Sequence, residues 1–124
     1  MTLYELHEKV WETFWNGIGE DKRNLIETGW KKNLIKQNIE PSSVTDNSYK
    51  CNIYGTIVSF TSSLIAGNTY FIEDIDEDGN VLHTEPISNV DVLCDLLGNT
   101  NHIRISKKIA SDIVDIIEKY IKGE

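Results

Sequence analysis

The sequence predicts an α+β fold: an antiparallel β-meander of about four strands packed against two N-terminal helices and one C-terminal helix. Three observations predict it. Both ends carry apolar side chains at helical spacing, the middle is rich in β-branched and aromatic residues, and short glycine-marked separations divide that middle. Residues 1–124 read as a single domain, with an ordinary 40 % of hydrophobic and 26 % of charged residues.

Thr2-Leu3-Tyr4-Glu5 has the spacing of a capping box, in which the threonine hydroxyl and the glutamate satisfy each other's free amides. Leu3, Leu6, Val10 and Phe14 follow at helical spacing with Trp11 and Trp15 beside them, and Gly17 and Gly19 end the helix. A second helix is expected from about Asp21 to Asn38. Leu25, Ile26, Trp30 and Leu34 form its apolar face, Lys31, Lys32 and Lys36 lie opposite, and Gly29 weakens its centre. Pro41-Ser42-Ser43 and Asp46-Asn47-Ser48 read as a linker.

Tyr49–Tyr54, Thr56–Ile65, Thr69–Ile75 and Val81–Thr84 are the expected strands, with turns at Gly55, Gly67-Asn68 and Asp76–Asn80. Ser88 and Asp91 start a short helix through Leu97, stopped by Gly98-Asn99, and His102–Ile105 suits a short strand. Ser106 caps the last helix, whose stripe is Ile109, Ile113, Val114, Ile117, Tyr120 and Ile121. One sheet face under the helices and one in water would expose part of the hairpin at Asp76–Asn80.

The charge pattern is the sharpest functional signal. The net charge is −8, and from Cys51 to Ile103 there is no lysine or arginine but eight carboxylates: Glu73, Asp74, Asp76, Glu77, Asp78, Glu85, Asp91 and Asp95. Five lie within Glu73–Asp78. A field so localised favours a cationic partner or a metal ion over nucleic acid. Lys31, Lys32 and Lys36 form only a small basic face.

Asp74–Glu85 matches the letters of a calcium loop, with aspartates at loop positions 1, 3 and 5, Gly79 at 6 and Glu85 at 12. Its context is a strand on one side and Pro86 on the other, where a helix–loop–helix site needs two helices. The reading is therefore an acidic β-hairpin, with a calcium-binding hairpin loop as a further alternative; no metal ligand set or cofactor is assigned.

No nucleophile–base pair, phosphate-binding glycine loop or metal-spaced histidine set is visible, so a non-enzymatic role is expected. His7, His83 and His102 stand apart from one another. Cys51 and Cys94 read as small buried apolar groups in a reducing compartment. Trp11, Trp15 and Trp30 suit packing of the first two helices, with an aromatic interface anchor as the rival. The N-terminal residues lack a secretory pattern and no apolar run is long enough to span a bilayer, so a cytoplasmic location without membrane contact is expected. The isoleucine and asparagine bias suits an AT-rich origin such as a low-GC bacterium, phage or mobile element.

The expected function is a small acidic stoichiometric inhibitor: an immunity protein, an antitoxin or a phage counter-defence protein. It would mask a basic site on a nucleic-acid enzyme with Glu73, Asp74, Asp76, Glu77 and Asp78, and with Glu85, Asp91 and Asp95 beside them or at the rim. The alternative is a small-molecule or nucleotide-binding sponge or sensor. Its site would lie between helices and sheet, with Arg104, Lys107 and Lys108 at the last helix start as the anion site.

Overall fold

A computed structural model describes residues 1–40, 48–101 and 105–123. Four helices and one hairpin follow in the order α1 (Leu3–Lys36), α2 (Ser48–Ile65), β1 (Phe71–Ile75), β2 (Val81–Pro86), α3 (Asn89–Asn101) and α4 (Lys107–Ile121). The four-strand meander expected from the sequence is not present: the described residues form a two-stranded antiparallel sheet, and no helix layer covers it.

In α1, Glu5 N–H donates to the Thr2 hydroxyl at 3.1 Å, and the Thr2 hydroxyl donates to the Glu5 carboxylate at 3.1 Å. Leu6, Val10, Phe14 and Ile18 follow at intervals of four and are buried. Gly17 stays helical. The break comes at Gly19, whose φ of 85° and ψ of 164° lie outside the helical region. Beyond it the helix resumes without one fully buried side chain, and Leu25 and Ile35 are exposed. Gly29 lies within regular helix.

The segments expected as strands at Tyr49–Tyr54 and Thr56–Ile65 are α2. Ile53, Ile57, Phe60 and Leu64 are all buried, and their spacing of four, three and four is the stripe of a helix. Burial of that stripe overrides the β preference of the isoleucines, valine and threonines around it. Gly55, read as a turn, is one more helical residue. Buried Thr61 is accommodated because its hydroxyl donates to the Ile57 carbonyl at 2.8 Å. Ser48 opens the helix, whereas the rest of the expected linker, residues 41–47, lies outside the described residues, as do 102–104 of the expected strand at His102–Ile105.

Ser88 caps α3, accepting from Asp91 N–H at 3.2 Å and donating to the Asp91 carboxylate at 2.9 Å. Ser106 caps α4, accepting from Ile109 N–H at 3.3 Å. Ala110, Ile113, Val114 and Ile117 of α4 meet the α1 stripe, and Val92, Leu93 and Leu97 of α3 complete the same core with the α2 stripe. Each such aliphatic or aromatic side chain contributes about 1.5–3 kcal/mol by leaving water. Trp11 and Trp15 stack at 5.3 Å on the flank of this core, and Trp11 meets Tyr54 of α2 edge-on at 5.7 Å. Cys51 is exposed and Cys94 half-buried, so the expectation that both are buried is corrected. Burial, with Asp91 and Asp95 nearby, pushes the Cys94 thiol up, which favours its protonated form.

Among the described residues the hairpin joins this body at its base. Tyr70 and Ile87 flank it, both pack against the core, and Ile87 N–H donates to the Tyr70 carbonyl at 3.0 Å. The Tyr70 hydroxyl donates to Ser63 Oγ at 2.6 Å. Every residue of β1 and β2 is exposed. Excising residues 71–86 and closing the gap with an asparagine–glycine pair should therefore leave the helical circular dichroism and a cooperative melt within about 5 °C of the intact chain. Phe14→Ala in the core should instead cost about 3–5 kcal/mol in a urea titration.

Candidate functional site: an exposed acidic hairpin

Sixteen residues, 71–86, lie between the two core anchors, and strand pairing and the turn arrange them. Phe71 pairs with Pro86, Ile72 with Glu85, Glu73 with Thr84 and Asp74 with His83; a β-bulge then shifts the register so that Ile75 meets Val81 and Leu82 is left over. Alternation along the strands sorts the side chains into two faces. One carries Phe71, Ile75, Val81, Thr84 and Pro86 around the single charge of Glu73. The other carries Asp74, His83 and Glu85 beside Ile72.

Asp76 builds the turn. Its N–H donates to the Asn80 carbonyl at 2.9 Å, and Gly79 N–H donates to the Asp76 carbonyl at 3.1 Å. Its Oδ1 accepts from Asp78 N–H at 2.9 Å and Asn80 N–H at 2.8 Å, while its Oδ2 accepts from Asn80 Nδ2 at 3.3 Å. These are the bonds of an Asx-type turn, completed by Gly79 at a φ of 85°. The bond from Asn80 N–H, more than any other, holds the Asp76 carboxyl below the usual carboxylate range. Its oxygens are thus engaged within the loop. Among the described residues no group of three or more histidine, cysteine, aspartate or glutamate side chains converges as a metal site would require.

The other carboxylates differ in their surroundings. Glu85 accepts from or pairs with His83 Nε2 at 3.0 Å, both largely in water, where such a pair is worth little. Asp91 lies away from the hairpin on α3, engaged with Ser88 and, at 3.6 Å, with Lys107. Asp95 is exposed on α3, outside the hairpin. Among the described residues Glu73, Asp74, Glu77 and Asp78 are exposed and have no hydrogen-bond or ion-pair partner for their carboxylates.

Sequence reading missed the apolar component. Phe71, Ile72, Ile75, Val81 and Leu82 are each more than half exposed, Leu82 at 70 %. The sequence places these residues in a four-stranded sheet with one face under the helices and one in water, whereas both faces of the hairpin are exposed. The helical stripe of Ile53, Ile57, Phe60 and Leu64 is the signal that removes two strands from that sheet and leaves the hairpin without neighbours.

The alternative anion site is altered as well. Lys107 Nζ lies 3.6 Å from Asp91 and Lys108 Nζ 3.2 Å from Asp112, so both lysines already face carboxylates. Arg104 and His102 lie outside the described residues. Among the described residues the strands β1 and β2 are exposed on both faces and so wall no pocket with the helices. An open groove of about 340 Å³ between α1 and α4 is of mixed charge, with Lys9 and Lys119 beside Asp112 and Asp115. Trp15 has Arg23 at 5.8 Å and Lys50 at 5.1 Å from its ring, a cation–π cluster on the flank of the core. Among the described residues no helix is long and apolar enough to cross a membrane.

Compared with known protein families, curated proteins and solved structures, the chain matches none of them.

The turn chemistry has a pH consequence with a definite sign. The folded pKa of Asp76 lies below the unfolded value of about 3.9, so its contribution is complete above that value and is lost as pH falls through the folded pKa. In an NMR titration the amides of Asp78 and Asn80 should hold their positions down to about pH 4 and move below it. Asp76→Asn keeps an acceptor oxygen but does not titrate, and should abolish the transition. An unchanged transition in that variant would assign it to another group.

Proposed function

We propose that this chain is a non-enzymatic binding protein, a cytoplasmic stoichiometric inhibitor of the immunity-protein, antitoxin or phage counter-defence kind, which masks the basic site of a nucleic-acid enzyme. One observation carries the reading: a hairpin that stands clear of the core, bearing four uncompensated carboxylates at Glu73, Asp74, Glu77 and Asp78 among exposed apolar side chains. A groove built for phosphates presents lysine and arginine at a spacing that carboxylates can meet. Complementary fields speed the encounter and reject acidic competitors, while the apolar side chains supply area that leaves water on contact. The same charge disfavours direct binding of nucleic acid.

Within this reading the acids have different tasks. Asp76 shapes the turn, Asp91 accepts from the Ser88 cap of α3, and the four unpaired carboxylates of the hairpin meet the partner. Glu85, paired across from Ile72, lies beside them.

The test compares the intact chain with a variant carrying Glu73→Gln, Asp74→Asn, Glu77→Gln and Asp78→Asn, with Asp76 left in place. Pull-down from the native host, with mass spectrometry, should recover a basic nucleic-acid enzyme on the intact chain. The purified pair should show one-to-one inhibition, and the variant should associate about tenfold or more slowly at low salt. Equal association and inhibition by both chains would contradict the proposal.

A further inference from the structure

The two edges of the hairpin are not equivalent. Ile87 N–H donates to the Tyr70 carbonyl at the base, and Asp76 N–H donates to the Asn80 carbonyl at the turn. In an antiparallel ladder, hydrogen-bonded and non-hydrogen-bonded pairs alternate. With these two bonds and the observed register, Phe71–Pro86, Glu73–Thr84 and Ile75–Val81 are non-hydrogen-bonded pairs. Their backbone groups therefore point away from the hairpin. On β1 this leaves the N–H and C=O of Phe71, Glu73 and Ile75 as a continuous row. On β2 the row is interrupted: Pro86 has no N–H, and the bulge at Leu82 disturbs the spacing. Proline and bulges are the usual means of blunting an edge, and β2 has both while β1 has neither.

We infer that β1 is a docking edge that takes an extended, basic segment of the partner as a third strand. This deepens the reading of the hairpin as the contact element and rests on it. A lone two-stranded hairpin is marginal in water, and a third strand supplies main-chain hydrogen bonds along with cover for exposed Phe71, Ile72 and Ile75. The side chains of β1 specify the occupant. Opposite Phe71, Ile72, Glu73, Asp74 and Ile75, the incoming strand places apolar, apolar, basic, basic and apolar residues. A second copy of this chain is a poor occupant: antiparallel pairing of β1 with itself about its centre sets Glu73 directly against Glu73, and like charges so placed repel.

The probe is a seven-residue peptide, threonine–valine–lysine–lysine–valine–valine–threonine with blocked ends. Its control carries N-methyl groups on the five central residues, which keeps charge and side chains but removes the backbone donors. By fluorescence anisotropy at low salt the plain peptide should bind at least about tenfold more tightly than the control. Amide hydrogen exchange of Phe71, Glu73 and Ile75 should slow on binding while that of Thr84 should not. Glu73→Pro, at a position whose N–H faces outward, should weaken binding about tenfold, against about twofold to threefold for Glu73→Gln.

Equal affinity for the two peptides, protection at Thr84, or no binding would overturn the docking edge. If both peptides bind equally but less well to the fourfold-neutralised hairpin, the edge fails and the acidic contact reading stands. A dimer in sedimentation that Glu73→Pro dissolves would assign the edge to a second copy and also overturn the inference.

Discussion

The contact of α1 with α4 is the constraint on which the rest of the molecule depends. Leu6, Val10, Phe14 and Ile18 form one stripe, Ala110, Ile113, Val114 and Ile117 the other, and all are buried. The two stripes come from opposite ends of the chain, so their meeting closes the body. The stripes of α2 and α3 fill the remaining sides of the same core. The first turns of α1, α3 and α4 are each held by a serine or threonine hydroxyl, which leaves few unsatisfied amides where the helices meet.

A core made from helices alone frees the hairpin from structural duty. Its strands bury nothing in the body, and its position is set by the flanking residues Tyr70 and Ile87. Side chains there need satisfy only the turn, which falls to Asp76 and Gly79, and the pairing, which tolerates almost any outward residue. The carboxylates and apolar side chains that accumulate on it serve neither purpose. That surplus directs attention to a partner, and the intact edge of β1 beside the blunted edge of β2 gives the contact a side.

Much of the helical framework is legible in the sequence because its stripes are regular. The Thr2–Glu5 cap, the periodicity of α4 and the Ser88 and Ser106 caps all point to elements that the structure contains. The hairpin is legible from its turn residues, since Asp76, Gly79 and Asn80 suit a tight reversal between β-branched runs. The error lies at Tyr49–Ile65. There the local preference of β-branched residues and the apparent turn at Gly55 point to strands, while Ile53, Ile57, Phe60 and Leu64 keep helical time. The long-range core settles such a conflict, and no short window contains it. Losing two strands also changes the hairpin: its apolar side chains are exposed on both faces rather than on one.

Native-state amide hydrogen exchange across a series of urea concentrations tests most directly the claim that a self-sufficient helical core carries an independent hairpin. The account predicts that amides of Val10, Phe14, Ile113 and Ile117 exchange only through global unfolding, with a steep urea dependence. Those of Ile72 and Asp74 should exchange through a local opening that urea barely affects. Hairpin amides that share the free energy and urea dependence of the α1 and α4 amides would contradict it, because the hairpin would then be part of the cooperative core.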